Sequence, residues 1–187
     1  MRLELVILWL AVSCSMMAQS VTVETPQFRS VYNLQTLCPE QVSWTVRQSD
    51  IGTVTREPSW TFTNFLLDTL GMATHADFTK SGYDRGHMCP AADRSHNLRA
   101  MRRTFELVNV APQDPRLNRG PWKRTENFCR AAAIQYGAVE VVTLPVFLNR
   151  DTVRVGSHRV AVPHAFFKAA WLPTNDSIIG VWFFFNK

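Results

Sequence analysis

Three runs after Gly137 constrain the fold more than any other feature of the chain. Val139–Leu148 is β-branched and apolar, Thr152–Val162 alternates, and Ile178–Phe185 is strongly apolar. Each is short and carries the branched and aromatic residues that suit a pleated surface, so each is expected to be a strand. A further strand is expected at Gln41–Arg47, where Val42, Trp44 and Val46 alternate with polar residues. Only two segments read as helix. Arg94–Leu107 places Leu98, Met101 and Phe105 at helical spacing. Asn118–Tyr136 tolerates Pro121 in its first turn and meets a stop at Gly137. Asn109–Arg116 holds two prolines and is expected to be loop, and Thr53–Phe65 is expected to be irregular. Several strands with two helices favour an α+β fold, a mostly antiparallel sheet with helices packed on it, over a doubly wound parallel sheet.

The chain has 187 residues, 46% of them hydrophobic, with 12 Phe and 6 Trp spread along it. That is enough for one substantial core and too little for two comfortable domains, and it excludes a disordered chain. No repeat or linker interrupts residues 21–187, which read as one domain. Residues 1–20 read as a signal peptide: Arg2, an apolar run Leu5–Val12 too short to span a bilayer, then the small and polar residues Ser13–Ser20. Secreted or periplasmic location is therefore expected, and Cys14 after Ala-Val-Ser opens a weaker route to a lipid anchor. No later stretch looks transmembrane. Cys38, Cys89 and Cys129 remain, an odd number that argues against a disulfide framework; one bridge with a buried thiol, or three buried thiols, both fit. The formal charge of +5 suits a polyanionic partner but also an ordinary basic surface.

Chemistry concentrates in two segments. In Ser81-Gly82-Tyr83-Asp84-Arg85-Gly86-His87-Met88, a glycine-flanked turn presents an arginine and a histidine two positions apart. Phosphodiester hydrolysis needs a base for water and positive charge for the pentacovalent phosphate, and a neutral imidazole serves as base near pH 7. Taken alone, a histidine after glycine is more often a turn residue. The second segment runs from Thr104 through Asn109, Pro112 and Gln113 to Asn118, Trp122, Glu126 and Arg130.

Together these segments resemble the DNA/RNA non-specific endonucleases of the ββα-metal, or His-Me finger, type, with weaker similarity from about Val42 to Trp171. The resemblance implies an enzyme with a ββα finger, in which His87 sits on a strand end opposite the helix carrying Asn118. It implies that His87 is the general base and that Asn118 is the direct protein ligand of a hydrated magnesium ion, with manganese as a substitute. Glu126, two helical turns on, is implied to hold the ion's waters, and Arg130, one further turn on, to neutralise phosphate charge. Arg85 is a second phosphate contact or a brace for its loop. Arg56 is a further substrate-binding arginine on a looser local match, and Asn109 fits an accessory substrate position or a strand-end turn. The substrates implied are DNA and RNA, contacted mainly through phosphate and sugar, with 5′-phosphate products.

Other residues read as structural. Trp122 and Phe105 are expected as core anchors, Asp84 as a turn residue, and His96, His158 and His164 as ordinary histidines. The chain stops soon after the last apolar strand, which leaves the stability of that sheet edge open. The rival from another class is a catalytically silent nucleic-acid-binding surface protein of the same fold, and a nuclease held in check by a protein inhibitor is a further reading. A zinc phosphohydrolase would need a cluster of His and carboxylate ligands, which the spacing does not offer.

Overall fold

The computed structural model describes residues 20–64, 71–148 and 152–187, so residues 1–19 of the expected signal segment lie outside it. Its strands are β1 (Ser20–Glu24), β2 (Arg29–Asn33), β3 (Cys38–Arg47), β4 (Asp84–His87), β5 (Val110–Gln113), β6 (Ala138–Val146), β7 (Arg154–Val155), β8 (Val160–Ala161), β9 (Ala165–Leu172) and β10 (Ser177–Phe185). Six of them form one sheet in the order β1-β2-β3-β6-β9-β10. Every pairing in it is antiparallel, as the sequence led us to expect. The helices are α1 (Leu98–Arg103), α2 (Pro115–Leu117) and α3 (Lys123–Tyr136), with a wide π turn at Asn118–Trp122 joining the last two.

The sheet has one face turned to the core. Alternation places Val42, Trp44 and Val46 of β3, Val139 and Val141 of β6, and Phe166, Lys168 and Ala170 of β9 among the buried residues. The register aligns Val42 with Thr143, Thr143 with Lys168, and Lys168 with Trp182, so a lysine lies within an otherwise largely apolar layer. Helix α3 packs against β3 and β6 on this face. Trp122 closes the far side against Phe166 and Phe184, with ring centroids 5.4 and 6.0 Å away. Burying large rings this way adds apolar area that holds helix to sheet. No helix among the described residues is long and apolar enough to cross a membrane.

Outside the sheet, β4 and β5 form a two-stranded antiparallel ribbon in which Asp84 faces Gln113 and His87 faces Val110. The expected loop around Pro112 is thus strand β5. A proline lacks only the amide donor, and a two-stranded ribbon leaves an outer edge on which that donor is not needed. Its position is fixed by Asn186, just past β10, which donates to Pro112 O at 3.1 Å and Pro163 O at 2.8 Å and accepts from Asp114 N at 2.7 Å. The last strand is therefore stitched to the ribbon.

Two further expectations of local structure are corrected. The helix read at Arg94–Leu107 shrinks to α1, because Asn97 caps it by accepting from Arg99 N and Ala100 N at 2.8 and 3.1 Å, and Phe105 falls beyond its end. The strand read at Thr152–Val162 becomes the tight hairpin β7–β8, turned by Gly156 at φ 70° and Arg159 at φ 59°. Strands β1, β2 and β9 have no counterpart in the sequence reading. Helix α3 does stop where expected, at Gly137 with φ 88°. Cys38, Cys89 and Cys129 are all free and buried, which selects the reading of three thiols.

Candidate active site

The ribbon and the head of α3 face each other across a cleft of about 740 Å³ lined by Arg56, Phe62, Tyr83, Asp84, Arg85, His87, Asn118, Arg119, Lys123, Glu126 and Arg130, among others. Of the seven residues singled out from sequence, six therefore meet in one place. The exception is Asn109. It is wholly buried, accepts from Cys89 N at 2.8 Å, and donates to Cys89 O and Thr104 O at 2.9 Å each. Its amide braces the chain leaving β4 and does not reach the cleft, so the structure corrects its assignment to substrate binding.

His87 ends β4 with its backbone paired to Val110 and its carbonyl accepting from Trp122 Nε1 at 3.3 Å. Its ring lies between Phe62 and Phe105, centroids 4.9 and 4.8 Å away, and Nε2 is buried without a hydrogen-bond partner. Burial first, and the Arg56 guanidinium second, push its pKa down to about 3, so the imidazole is neutral across the physiological range. Gly86 precedes it because a Cβ there would stand 2.4 Å from Gln113 Oε1 and 2.7 Å from Gln113 Cβ, which the packing of β4 on β5 forbids. Phe105 and Trp122 are core anchors, as expected, and they also hold the histidine.

Asp84 does more than fix a turn. It accepts from Asn118 Nδ2 at 2.9 Å and from Arg119 Nε and Nη2 at 2.8 and 2.6 Å. With its amide nitrogen occupied, Asn118 has its carbonyl oxygen left as the group for a hard cation. Asn118 stands in the π turn, which the kink at Gly120 (φ −110°, ψ −107°) creates at the head of α3. Among the described residues, no group of three or more His, Cys, Asp and Glu side chains gathers around a metal position. An amide oxygen, a neighbouring carboxylate and room for water suit a hydrated magnesium ion and do not suit zinc.

Glu126 lies in the cleft wall with its pKa pushed up to about 7, chiefly by burial, with Asp93 adding to the shift and Lys168 opposing it. Lys168 is buried beneath it, Nζ 3.7 Å from the centroid of the Trp122 ring, and its pKa is lowered by the same burial. Arg130 donates to Asp93 Oδ1 at 2.7 Å and to Asn127 Oδ1 at 2.5 Å. Arg85 donates through Nη2 to His75 O at 2.7 Å and Thr79 Oγ1 at 2.9 Å, so it braces its loop while also lining the cleft. Arg56 is exposed on the cleft rim. Sequence reasoning missed Lys168, Asp93, Arg119 and Lys123. A lysine at an inward position of an apolar strand was the one readable signal, and it required β9 to be recognised first.

An antiparallel ribbon ending in a histidine, set against a helix headed by an asparagine, defines a ββα-metal nuclease fold. The sequence profile of the DNA/RNA non-specific endonuclease family matches residues 10–183, and the chain belongs to that family. It is 42% identical over 105 residues to endonuclease G, mitochondrial, of Homo sapiens, covering 51% of this chain and 35% of that protein. It is 33% identical over 156 residues to nuclease 1, mitochondrial, of Schizosaccharomyces pombe, covering 75% of this chain and 48% of that one. The chain thus spans less than half the length of these relatives. The crystal structure of the EndoG/EndoGI complex superposes with a TM-score of 0.79 at 24% identity, covering 89% of this chain and 74% of its counterpart, and shows the same fold. The expected secreted, periplasmic or lipid-anchored location is corrected by the same comparisons, since both relatives are named as mitochondrial proteins.

Proposed function

We propose that this chain is an endonuclease that hydrolyses phosphodiester bonds in both DNA and RNA, with His87 as general base and Asn118 as the protein ligand of a hydrated magnesium ion. The observation that carries the proposal is the convergence of His87, Asn118, Glu126, Arg130, Arg85 and Arg56 on one cleft. Magnesium, or manganese in its place, supplies a Lewis acid to the phosphate and the leaving oxygen when bound. Asn118 would hold the ion through its amide oxygen, and Glu126 would orient water beside it. His87 accepts a proton from the attacking water. An imidazole pushed this far down is a weak base. A phosphodiester beside Arg56 adds negative charge that offsets the guanidinium's part of the lowering, while the part due to burial stays. The arginines neutralise charge on the phosphate; as the activated water bonds to phosphorus the P–O3′ bond breaks, the 3′ oxygen leaves and takes up a proton from solvent, and the products carry 5′-phosphate ends. A cleft that contacts phosphate and sugar carries no base information, which accounts for indifference to sequence. A protein inhibitor is included among the proposed partners, in keeping with the EndoG/EndoGI complex of the structural neighbour.

The test is cleavage of circular plasmid and total RNA by the full chain with magnesium, with manganese or with EDTA, beside His87→Ala and Asn118→Ala. Metal-dependent loss of both substrates, reduced on the order of 10²-fold or more in folded His87→Ala, is expected. A folded wild type that binds both nucleic acids and cuts neither would replace this reading with the silent binding protein.

A further inference from the structure

Arg130 reaches the cleft from the middle of α3, and the carboxylate that fixes it sits on the short turn Ala91–Arg94, whose Ala91 and Ala92 line the same cleft. Its Nη1 donates to Asp93 Oδ1 at 2.7 Å. The second carboxylate oxygen, Oδ2, accepts from Trp44 Nε1 of β3 at 2.8 Å. The Asp93 side chain is 1% exposed and that of Arg130 15% exposed, so this ion pair is shielded from water. The short turn Ala91–Arg94 that carries Asp93 is itself pinned. The Arg94 guanidinium donates to Asp93 O at 2.8 Å, Thr45 O at 3.1 Å, Asp50 Oδ2 at 3.3 Å and Gln27 O. A carboxylate gripped at both oxygens by groups on different elements has one orientation, and the guanidinium bonded to it inherits that orientation. Asn127, accepting from Nη2 at 2.5 Å, holds the other end of the same fork.

We propose that Asp93 is a positioning residue for the proposed hydrolysis, acting through Arg130, with the Trp44 indole as the peg that sets its carboxylate. The inference rests on the nuclease reading above. In this arrangement the sheet aims the arginine before substrate arrives, and no side-chain ordering is left to the moment of reaction. Asp93 touches no substrate. Its effect is expected in kcat, with KM little moved, because it tunes where Arg130 points and adds no contact of its own.

A double-mutant cycle separates positioning from mere support of the fold. Cleavage of one defined oligonucleotide is followed for the full-length chain, Asp93→Asn, Arg130→Ala and the double variant, at enzyme concentrations high enough to read residual rates. Asp93→Asn keeps the shape of the side chain and is expected to lower kcat by roughly 10- to 100-fold, the range associated with a misplacement of about 1 Å. In the Arg130→Ala background the same change is expected to do nothing further. Equal losses in both backgrounds would overturn the proposal and leave Asp93 as a structural residue. Where Asp93→Asn fails to fold, Trp44→Phe takes its place in the cycle, since it removes the indole donor and keeps most of the ring. A wild-type chain that cuts nothing overturns the nuclease reading and this inference with it, whereas additive losses in an active enzyme overturn this inference alone.

Discussion

Two titrating groups of the cleft, His87 and Glu126, pull stability in opposite directions with pH, and separating them tests the electrostatics of the site without any catalysis. His87 is lowered from 6.5 to about 3, so between those values the unfolded chain holds a proton that the folded chain refuses. Its contribution is present in full above about 6.5 and is lost as pH falls toward 3. Glu126 is raised from 4.5 to about 7, so between those values the folded chain holds the extra proton. Its contribution is present in full below about 4.5 and is lost as pH rises toward 7. At about 1.36 kcal/mol per pH unit, the ceilings are roughly 5 kcal/mol for His87 and roughly 3 kcal/mol for Glu126. From pH 4.5 to 6.5 the two slopes cancel in the wild type. Urea denaturation in EDTA, followed by far-ultraviolet circular dichroism, reads the difference between each variant and the wild type across this window. Relative to wild type, Glu126→Gln is expected to gain stability as pH rises from 4.5 to 7. His87→Ala is expected to lose it as pH rises from 4.5 to 6.5, whatever fixed penalty its cavity adds. Wild type and both variants running parallel across the window would show that neither group is held in the state deduced from its surroundings.

Lys168→Met tests the buried charge coupled to Glu126 and Asp93: it removes that cation while keeping the length of the side chain, and is expected to cost about 3–5 kcal/mol in a thermal or urea melt near pH 8. A loss under about 1 kcal/mol would mean that Lys168 is not charged in the fold. Asp84→Ala removes the partner of Asn118 Nδ2, and is expected to raise the magnesium concentration for half-maximal cleavage by about 10- to 100-fold with the melting temperature little changed. An unchanged magnesium midpoint would separate Asp84 from the proposed metal position. Gly86→Ala drives a methyl group into Gln113 and is expected to cost about 1–3 kcal/mol, with Gln113→Ala in the same chain restoring part of it. A neutral Gly86→Ala would show that the ribbon shifts freely.

The fold was legible where one residue pattern answers to one environment. Gln41–Arg47 and Val139–Leu148 each pair a buried face with a half-exposed one, so their alternation survives in the sequence, and Gly137 marks the end of α3 because its positive φ is a glycine conformation. Strand β9 hid because its buried face carries Lys168 between Phe166 and Ala170, and a charged residue at an inward position cancels the alternation that would have revealed it. Strand β5 hid behind Pro112, since its place comes from Asn186, which lies far away in sequence. The hairpin β7–β8 read as one strand because its alternation continues straight through a turn made by positive φ at Gly156 and Arg159.

The site divides along the same line. Residues whose chemistry resides in their own functional group, such as His87, Asn118 and Glu126, stand in a readable motif. Those whose effect passes through a neighbour, such as Asp84 inside the motif and Asp93 outside it, acquire that effect only from a partner on another element. Asn109 is the converse. Its amide type suited a substrate contact, yet the chain leaving β4 presents the Cys89 amide and carbonyl, and Asn109 bonds both from within the core. A buried backbone group without a partner costs more than an accessory substrate contact returns, so the amide is held where that demand is strongest. Spacing along the chain reports which side chains are present in a motif; which of them remain available to a substrate is set by the backbone groups that the fold must satisfy first.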